Sequence, residues 1–215
     1  MREIHLRIMW LVALGLLTAC GGETEDAVDT AAIERGEAAY ELYCALCHGD
    51  QGEGYVSPKA NALTNEDFLI SSSDSFLEAG MKRGRPGTKM SAFGRDYLGP
   101  LSDRDVTDMI AYFRSYQVAA QLELDDSWVA VGDSASGERL YTTQCSQCHG
   151  ADLTGGSALS INNTVFLETA SDAFLRYAIE SGRRGTVMPA FVSVLSEQDI
   201  QDLIVYIRTT ESGAN

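Results

Sequence analysis

Histidine is scarce in this sequence, with three residues in 215, so any centre needing several imidazoles has little to draw on. Cations are few as well. Lys and Arg number 16 against 31 Asp and Glu, a formal charge of −15, and a chain without a basic footprint is excluded from binding a phosphate backbone. The acidity serves solubility. Only four prolines and 22% charged residues exclude a disordered or low-complexity chain, while 45% hydrophobic content allows a real core. The apolar run from Ile8 to Leu17 falls short of the roughly 20 residues that a membrane span needs. Length alone leaves one large domain or two small ones open.

What is present begins with an address. Arg2 and Arg7 precede the short apolar run, the pattern of an export signal. Leu17-Thr18-Ala19-Cys20 closes it and resembles the bacterial lipobox. That resemblance implies that residues 1–19 are removed and that Cys20 becomes the lipidated N-terminus. Residues 20–31 then form a flexible tether that holds the protein on a membrane surface without crossing it. The expected location is the periplasmic or extracellular face of a bacterial membrane. Gly21, where aspartate resembles an inner-membrane retention signal, points to the outer membrane.

Four cysteines remain, and their spacing is specific. Cys44-Ala45-Leu46-Cys47-His48 and Cys145-Ser146-Gln147-Cys148-His149 are two copies of C-x-x-C-H, the c-type haem attachment signature. Each thiol adds to a haem vinyl group, two intervening residues let one helical turn present both sulfurs, and the following histidine reaches the iron. A C-x-x-C redox pair or half of a zinc site uses the same residue types. Both are disfavoured because the two histidines beyond the signal sequence sit immediately after these cysteines.

The flanking sequence repeats too. Gly36-Glu37 and Tyr40 match Gly137-Glu138 and Tyr141, and Ser73-Asp74-Ser75-Phe76-Leu77 matches Ser171-Asp172-Ala173-Phe174-Leu175. Gly84-Arg85-Pro86-Gly87-Thr88-Lys89-Met90 matches Gly182-Arg183-Arg184-Gly185-Thr186-Val187-Met188. Leu101 to Arg114 tracks Leu195 to Arg208. Each copy is expected to open with a helix capped by Asp29, or by Asp133 or Ser134, and running into the motif. A middle helix is expected from Asp74 or Asp172. Closing helices start at the capping-box-like pairs Ser102/Asp105 and Ser196/Asp199, with apolar stripes through Val106, Met109, Ile110 and Phe113 and through Ile200, Leu203, Ile204 and Ile207. The expected organisation is all-α: one domain over residues 32–118, a linker over 119–132 and a second domain over 133–212.

Gly36 and Gly137 at matching helical places suggest close backbone contact. The pattern resembles class I cytochrome c in tandem, over nearly all of residues 31–118 and 133–210. In that family the first and last helices cross at a glycine against an aromatic, here Tyr112 and Tyr206, each domain wrapping a few helices around one covalent haem. The family often has a proline after the motif whose carbonyl steadies the ligand histidine. Pro58 fits that place in the first copy, whereas the second copy has no such proline.

The sixth iron position separates an electron carrier from a catalyst. Met90 and Met188 are methionine in both copies, and Met188-Pro189-Ala190-Phe191 looks like the family's ligand loop. Met81 and Met109 face Ile179 and Leu203 in the repeat and read as core fillers. His48, Met90, His149 and Met188 are therefore the expected iron ligands, and Cys44, Cys47, Cys145 and Cys148 the attachment points of two haem c groups. Arg85 and Arg183 are candidates to pair with haem propionates. Lys82, Arg83, Arg85 and Lys89 form a basic stretch suited to steering an acidic partner. The expected function is electron transfer between redox proteins by Fe(III)/Fe(II) cycling, without substrate turnover. The alternatives are a dihaem peroxidase, a sulfur-compound dehydrogenase, or the cytochrome subunit of a larger oxidoreductase.

Overall fold

The computed structural model describes residues 29–210; the expected export signal, the expected lipidation site Cys20, His5 and most of the expected tether lie outside them. The described residues are helical, with no strand among them beyond one isolated bridge between Gly94 and Leu101. The first copy holds α1 (Thr30–Tyr43), α2 (Ala45–His48), α3 (Glu66–Ser71), α4 (Asp74–Arg83) and α5 (Asp103–Arg114). The second repeats them as α6 (Ser134–Gln144), α7 (Ser146–His149), α8 (Thr164–Thr169), α9 (Asp172–Ser181) and α10 (Glu197–Thr209).

Helix starts follow local side-chain chemistry. The Asp29 carboxylate accepts from the Ala32 amide at 3.0 Å, so the last two tether residues are already in α1. Asp133 does the same for Ser136 at 2.7 Å, which settles the second copy's cap. Ser73 and Ser171 cap α4 and α9, and both expected capping boxes form, each cap being worth about 1 kcal/mol. The two short helices α3 and α8, capped by Asn65 and Asn163, have no counterpart in the sequence reading.

The first and last helices of each copy pack together, α1 on α5 and α6 on α10. A Cβ on Gly36 would fall on the Asp108 carbonyl, and one on Gly137 on the Asp202 carbonyl and the Tyr206 Cβ. Glycine is required at these crossings because backbone meets backbone. Tyr112 packs on Tyr40 with ring centroids 5.4 Å apart, and Tyr206 on Tyr141 at 5.5 Å.

The two copies share a core. α4 packs on α8 and α3 on α9, and these two contacts are each other's images under the repeat. Repeat partners Phe76 and Phe174 meet at 5.0 Å, with Phe166 at 6.0 Å from Phe76, so the halves are related by a local two-fold at this aromatic cluster. Residues 119–132 form no helix and lie along both copies: the Leu122 amide donates to the Ile70 carbonyl at 2.8 Å and the Ala130 amide to Asp172 at 2.9 Å. Among the described residues no helix is long and apolar enough to cross a membrane.

Candidate functional site

Each motif is a single helical turn grafted onto the end of the first helix. The Cys44 amide donates to the Tyr40 carbonyl at 2.8 Å, and the Cys44 carbonyl accepts from Cys47 at 3.1 Å and His48 at 3.0 Å. The second copy repeats these bonds at 2.9, 3.1 and 3.0 Å through Tyr141, Cys145, Cys148 and His149. Tyr40 and Tyr141 then reach past the motif, their hydroxyls donating to the Gly49 and Gly150 carbonyls at 2.5 and 2.6 Å. Those glycines have φ of +88° and +83°, the left-handed turn that ends the motif. None of the four motif cysteines is in a disulfide, so every sulfur is available for attachment, and burial pushes Cys44 up to about 12 and Cys145 up to about 11.

The imidazoles are fixed by backbone. His48 Nδ1 lies 2.8 Å from the Asn61 carbonyl and His149 Nδ1 lies 3.0 Å from the Leu159 carbonyl. A carbonyl only accepts, so Nδ1 carries the proton and the Nε2 lone pair is free in both rings. Burial lowers both pKa values and keeps the rings neutral, the form that binds a metal. The expectation about Pro58 is therefore corrected: the carbonyl belongs to Asn61, and the second copy has an equivalent partner without a proline. The repeat offset drops from 101 residues at the motif to 98 at the middle helix, and Asn61 and Leu159 are partners in the shorter register. The three-residue difference lies in the loop between.

The methionines end matched turns. In the first copy the Arg85 carbonyl accepts from the Thr88 amide at 3.0 Å, with Pro86 and Gly87 (φ +81°) between, the pattern of a type II turn. The Thr88 hydroxyl accepts from the Met90 amide at 3.1 Å, and the Met90 carbonyl accepts from the Arg85 amide at 2.9 Å. Arg183, Gly185, Thr186 and Met188 repeat every one of these bonds. Met90 and Met188 are half-buried, whereas Met81 and Met109 are core residues at 7% and 0% exposure.

Among the described residues Arg85 and Arg183 have no ion-pair partner. Arg85 lies over the Phe76 ring at 5.3 Å and Arg183 over the Phe174 ring at 5.4 Å. Their polar contacts are long ones to backbone, Gly84 at 3.4 Å for Arg85, Gly182 at 3.2 Å and Asp67 at 3.5 Å for Arg183. Burial pushes both down to about 10, which still leaves them charged at neutral pH. A desolvated cation that lacks a counter-ion is costly, and a ligand that brings carboxylates relieves the cost. Two thiols, a neutral imidazole with Nε2 free and an unpaired guanidinium in each copy fit haem c.

Folding neutralises or turns inward most of the basic stretch and leaves Lys89 exposed. Lys82 is bound to Asp103 at 2.7 Å and Glu78 at 3.4 Å, Arg83 to Glu168 at 2.5 Å, and Arg85 is turned inward. Among the described residues no group of three His, Cys, Asp or Glu side chains is placed to hold a metal ion, so the two motifs are not halves of one site.

Helical architecture, a duplicated motif and two matched sets of haem-binding groups define a tandem class I-type c-type cytochrome. More specifically, the chain belongs to the family of cytochrome c oxidase, cbb3-type, subunit III, whose model matches residues 31–113 and 132–207. It is 29% identical over 201 residues to a cbb3-type cytochrome c oxidase subunit CcoP of Azospirillum sp. (strain B510), covering 85% of this chain and 63% of that one. It is 27% identical to subunit FixP of Bradyrhizobium diazoefficiens, over 94% of this chain and 69% of the relative. The chain thus spans about two thirds of the length of these relatives. A chain of the reducing HAO-like protein complex of Kuenenia stuttgartiensis shares the fold, with a TM-score of 0.52 over 82% of this chain and 96% of that one at 18% identity. The chain is a dihaem c-type cytochrome, and its chemistry is one-electron transfer at covalently held haem iron.

Proposed function

We propose that this cytochrome relays electrons between protein partners through two His/Met-ligated haems and turns over no substrate of its own. Cys44 and Cys47 would hold the first haem and Cys145 and Cys148 the second, with His48/Met90 and His149/Met188 as axial pairs. Arg85 and Arg183 would pair with propionates. A thioether opposite imidazole favours ferrous iron and leaves no position open to small ligands, which suits a carrier. The observation that carries this reading is the matched pair of turns. Every hydrogen bond around Met90 recurs around Met188, while the core methionines Met81 and Met109 have Ile179 and Leu203 as repeat partners.

The relatives named above are subunits of a cbb3-type cytochrome c oxidase, which makes such an oxidase the leading acceptor. Domains over 32–118 and 133–212, joined by 119–132, would be held at the membrane by lipid on Cys20 after export.

Spectroscopy tests the ligands. The oxidised protein should show the weak sulfur-to-iron band near the red end of the visible spectrum at an intensity fitting two sites. Met90→Ala and Met188→Ala should each remove about half of it, lower one haem's potential and open that iron to carbon monoxide. Ready carbon monoxide binding by the unaltered protein at one haem would overturn the carrier assignment for that domain.

A further inference from the structure

Asn65 and Asn163 hold the start of α3 and of α8 with one side of the amide. Their Oδ1 atoms accept from the Phe68 and Phe166 amides at 3.1 and 3.2 Å. The other side of each amide crosses to the opposite half of the molecule. Asn65 Nδ2 donates to the Arg184 carbonyl at 2.8 Å, and Asn163 Nδ2 donates to the Pro86 carbonyl. Pro86 and Arg184 are repeat partners at the second position of the turns that end in Met90 and Met188. Their carbonyls belong to the central peptide of the turn, whose orientation distinguishes a type II turn from a type I turn. A donor fixed to that oxygen therefore selects the turn geometry that presents the methionine.

The two halves differ in a way that supports a fitted contact. Arg184 has an amide proton where Pro86 has none, and that amide donates to Asp67 Oδ2 at 2.7 Å, with the Arg184 side chain on Asp67 Oδ1 at 2.7 and 2.9 Å. The repeat partner of Asp67, in the half whose opposite turn carries the proline, is the buried Val165. A carboxylate stands where the opposite turn offers a donor, and an apolar side chain where it offers none.

We propose that Asn163 and Asn65 are positioning residues for the axial methionine of the opposite domain. Asn163 sets the Met90 turn, and Asn65, assisted by Asp67, sets the Met188 turn. Ligation at each haem then depends on docking of the two halves, and displacement of one half loosens the methionine of the other. This rests on the reading of Met90 and Met188 as ligands.

The test uses Asn163→Ser and Asn65→Ser in the full-length holoprotein. Serine keeps a side-chain oxygen for the cap but cannot reach across, so a merely local role for the asparagine is preserved. In the ferrous protein, axial methionine methyl resonances are first assigned with Met90→Ala and Met188→Ala. Asn163→Ser should then shift the Met90 methyl signal and leave that of Met188 in place. It should also speed carbon monoxide entry at the Met90 haem by about tenfold, the factor expected for one lost hydrogen bond. Asn65→Ser should do the converse. Effects confined to the asparagine's own half, or absent from both, overturn the proposal. Amide exchange at Thr88 gives a readout independent of ligation and should also rise about tenfold in Asn163→Ser. If Met90→Ala leaves the sulfur band unchanged while Thr88 exchange still rises, the ligand reading fails and the cross-domain hold on the turn stands. Unchanged exchange with a normal Met90→Ala result sinks the hold alone.

Discussion

The two halves of this cytochrome agree in the bonds that hold the motif and the methionine turn, and disagree on the exposed surface around them. Tyr40 and Tyr141, His48 and His149, and the Arg-to-Met turns make the same bonds to the same backbone positions. Around the motif the first half exposes Leu42 at 71% and Leu46 at 87%, where the second half exposes Thr143 and Gln147. The lesson is that the repeat keeps the groups that orient the motif and the turn, and keeps Phe76/Phe174 and Asn65/Asn163 at the seam, whereas the exposed surface and the seam pairs Asp67/Val165 and Pro86/Arg184 diverge.

The sharpest way to break the comparison is at the shared aromatic cluster. Phe76 is buried against Phe166 and Phe174 and carries Arg85 on its ring. Phe76→Ala should cost about 3 to 5 kcal/mol, the range for a large aromatic removed from a core. Because the cluster belongs to both halves, both haem environments should be lost in one denaturant transition. Two separated transitions, with only the first half shifted, would show that the halves fold as independent units after all.

A smaller effect sharpens the asymmetry of the seam. Asp67 is almost wholly buried; that burial works to raise its pKa, but hydrogen bonds and charge from Arg184 outweigh it and the net direction is down. A carboxylate with a depressed folded-state pKa adds stability above its unfolded value, about 3.9, and loses it as pH falls through the folded value. Asp67→Asn should therefore remove about 1 to 2 kcal/mol at neutral pH and flatten the acid limb of the stability curve below about pH 4. Val165→Asn, at the matching place, has no such acid limb to remove. Equal pH profiles for Asp67→Asn and the parent protein would show that this pair contributes nothing to docking.

How much of this was legible beforehand depends on whether a role is local in sequence. Caps, helix stripes, the motif turns and the glycine crossings are set by residues a few positions apart or by a repeated period, and Asp29, Asp133, Ser102, Ser196, Gly36 and Gly137 behave as their spacing implies. The repeat also separated Met90 and Met188 from the core residues Met81 and Met109. What escaped was long-range. Pro58 was the natural donor of a carbonyl by analogy, yet loop geometry delivers Asn61 to His48. The basic stretch before Met90 looked continuous because its counter-ions, Asp103 and Glu168, are distant in sequence. Asn65 and Asn163 carried only an asparagine's ordinary signal for a helix start, and nothing in the chain could say where the other side of the amide would point.

The smallest expected effect tests the sameness of the halves. Tyr40 and Tyr141 are at 0% and 1% exposure, and each hydroxyl holds the carbonyl of the glycine that follows the motif histidine. Tyr→Phe at either place removes one hydrogen bond and leaves a carbonyl to find another donor, for about 1 kcal/mol. The ring packing is retained, since Phe fills the same space against Tyr112 and Phe113 in the first half or Tyr206 in the second. Because the bond is the same in both halves, the two variants should lose stability equally within about 0.5 kcal/mol, measured by denaturant unfolding of the holoprotein. A loss concentrated in Tyr40→Phe would mean that the richer aromatic packing of the first half fixes the hydroxyl more tightly. The equivalence of the two motif turns, on which the assignment of two similar haem sites rests, would then hold for their covalent pattern but not for their rigidity.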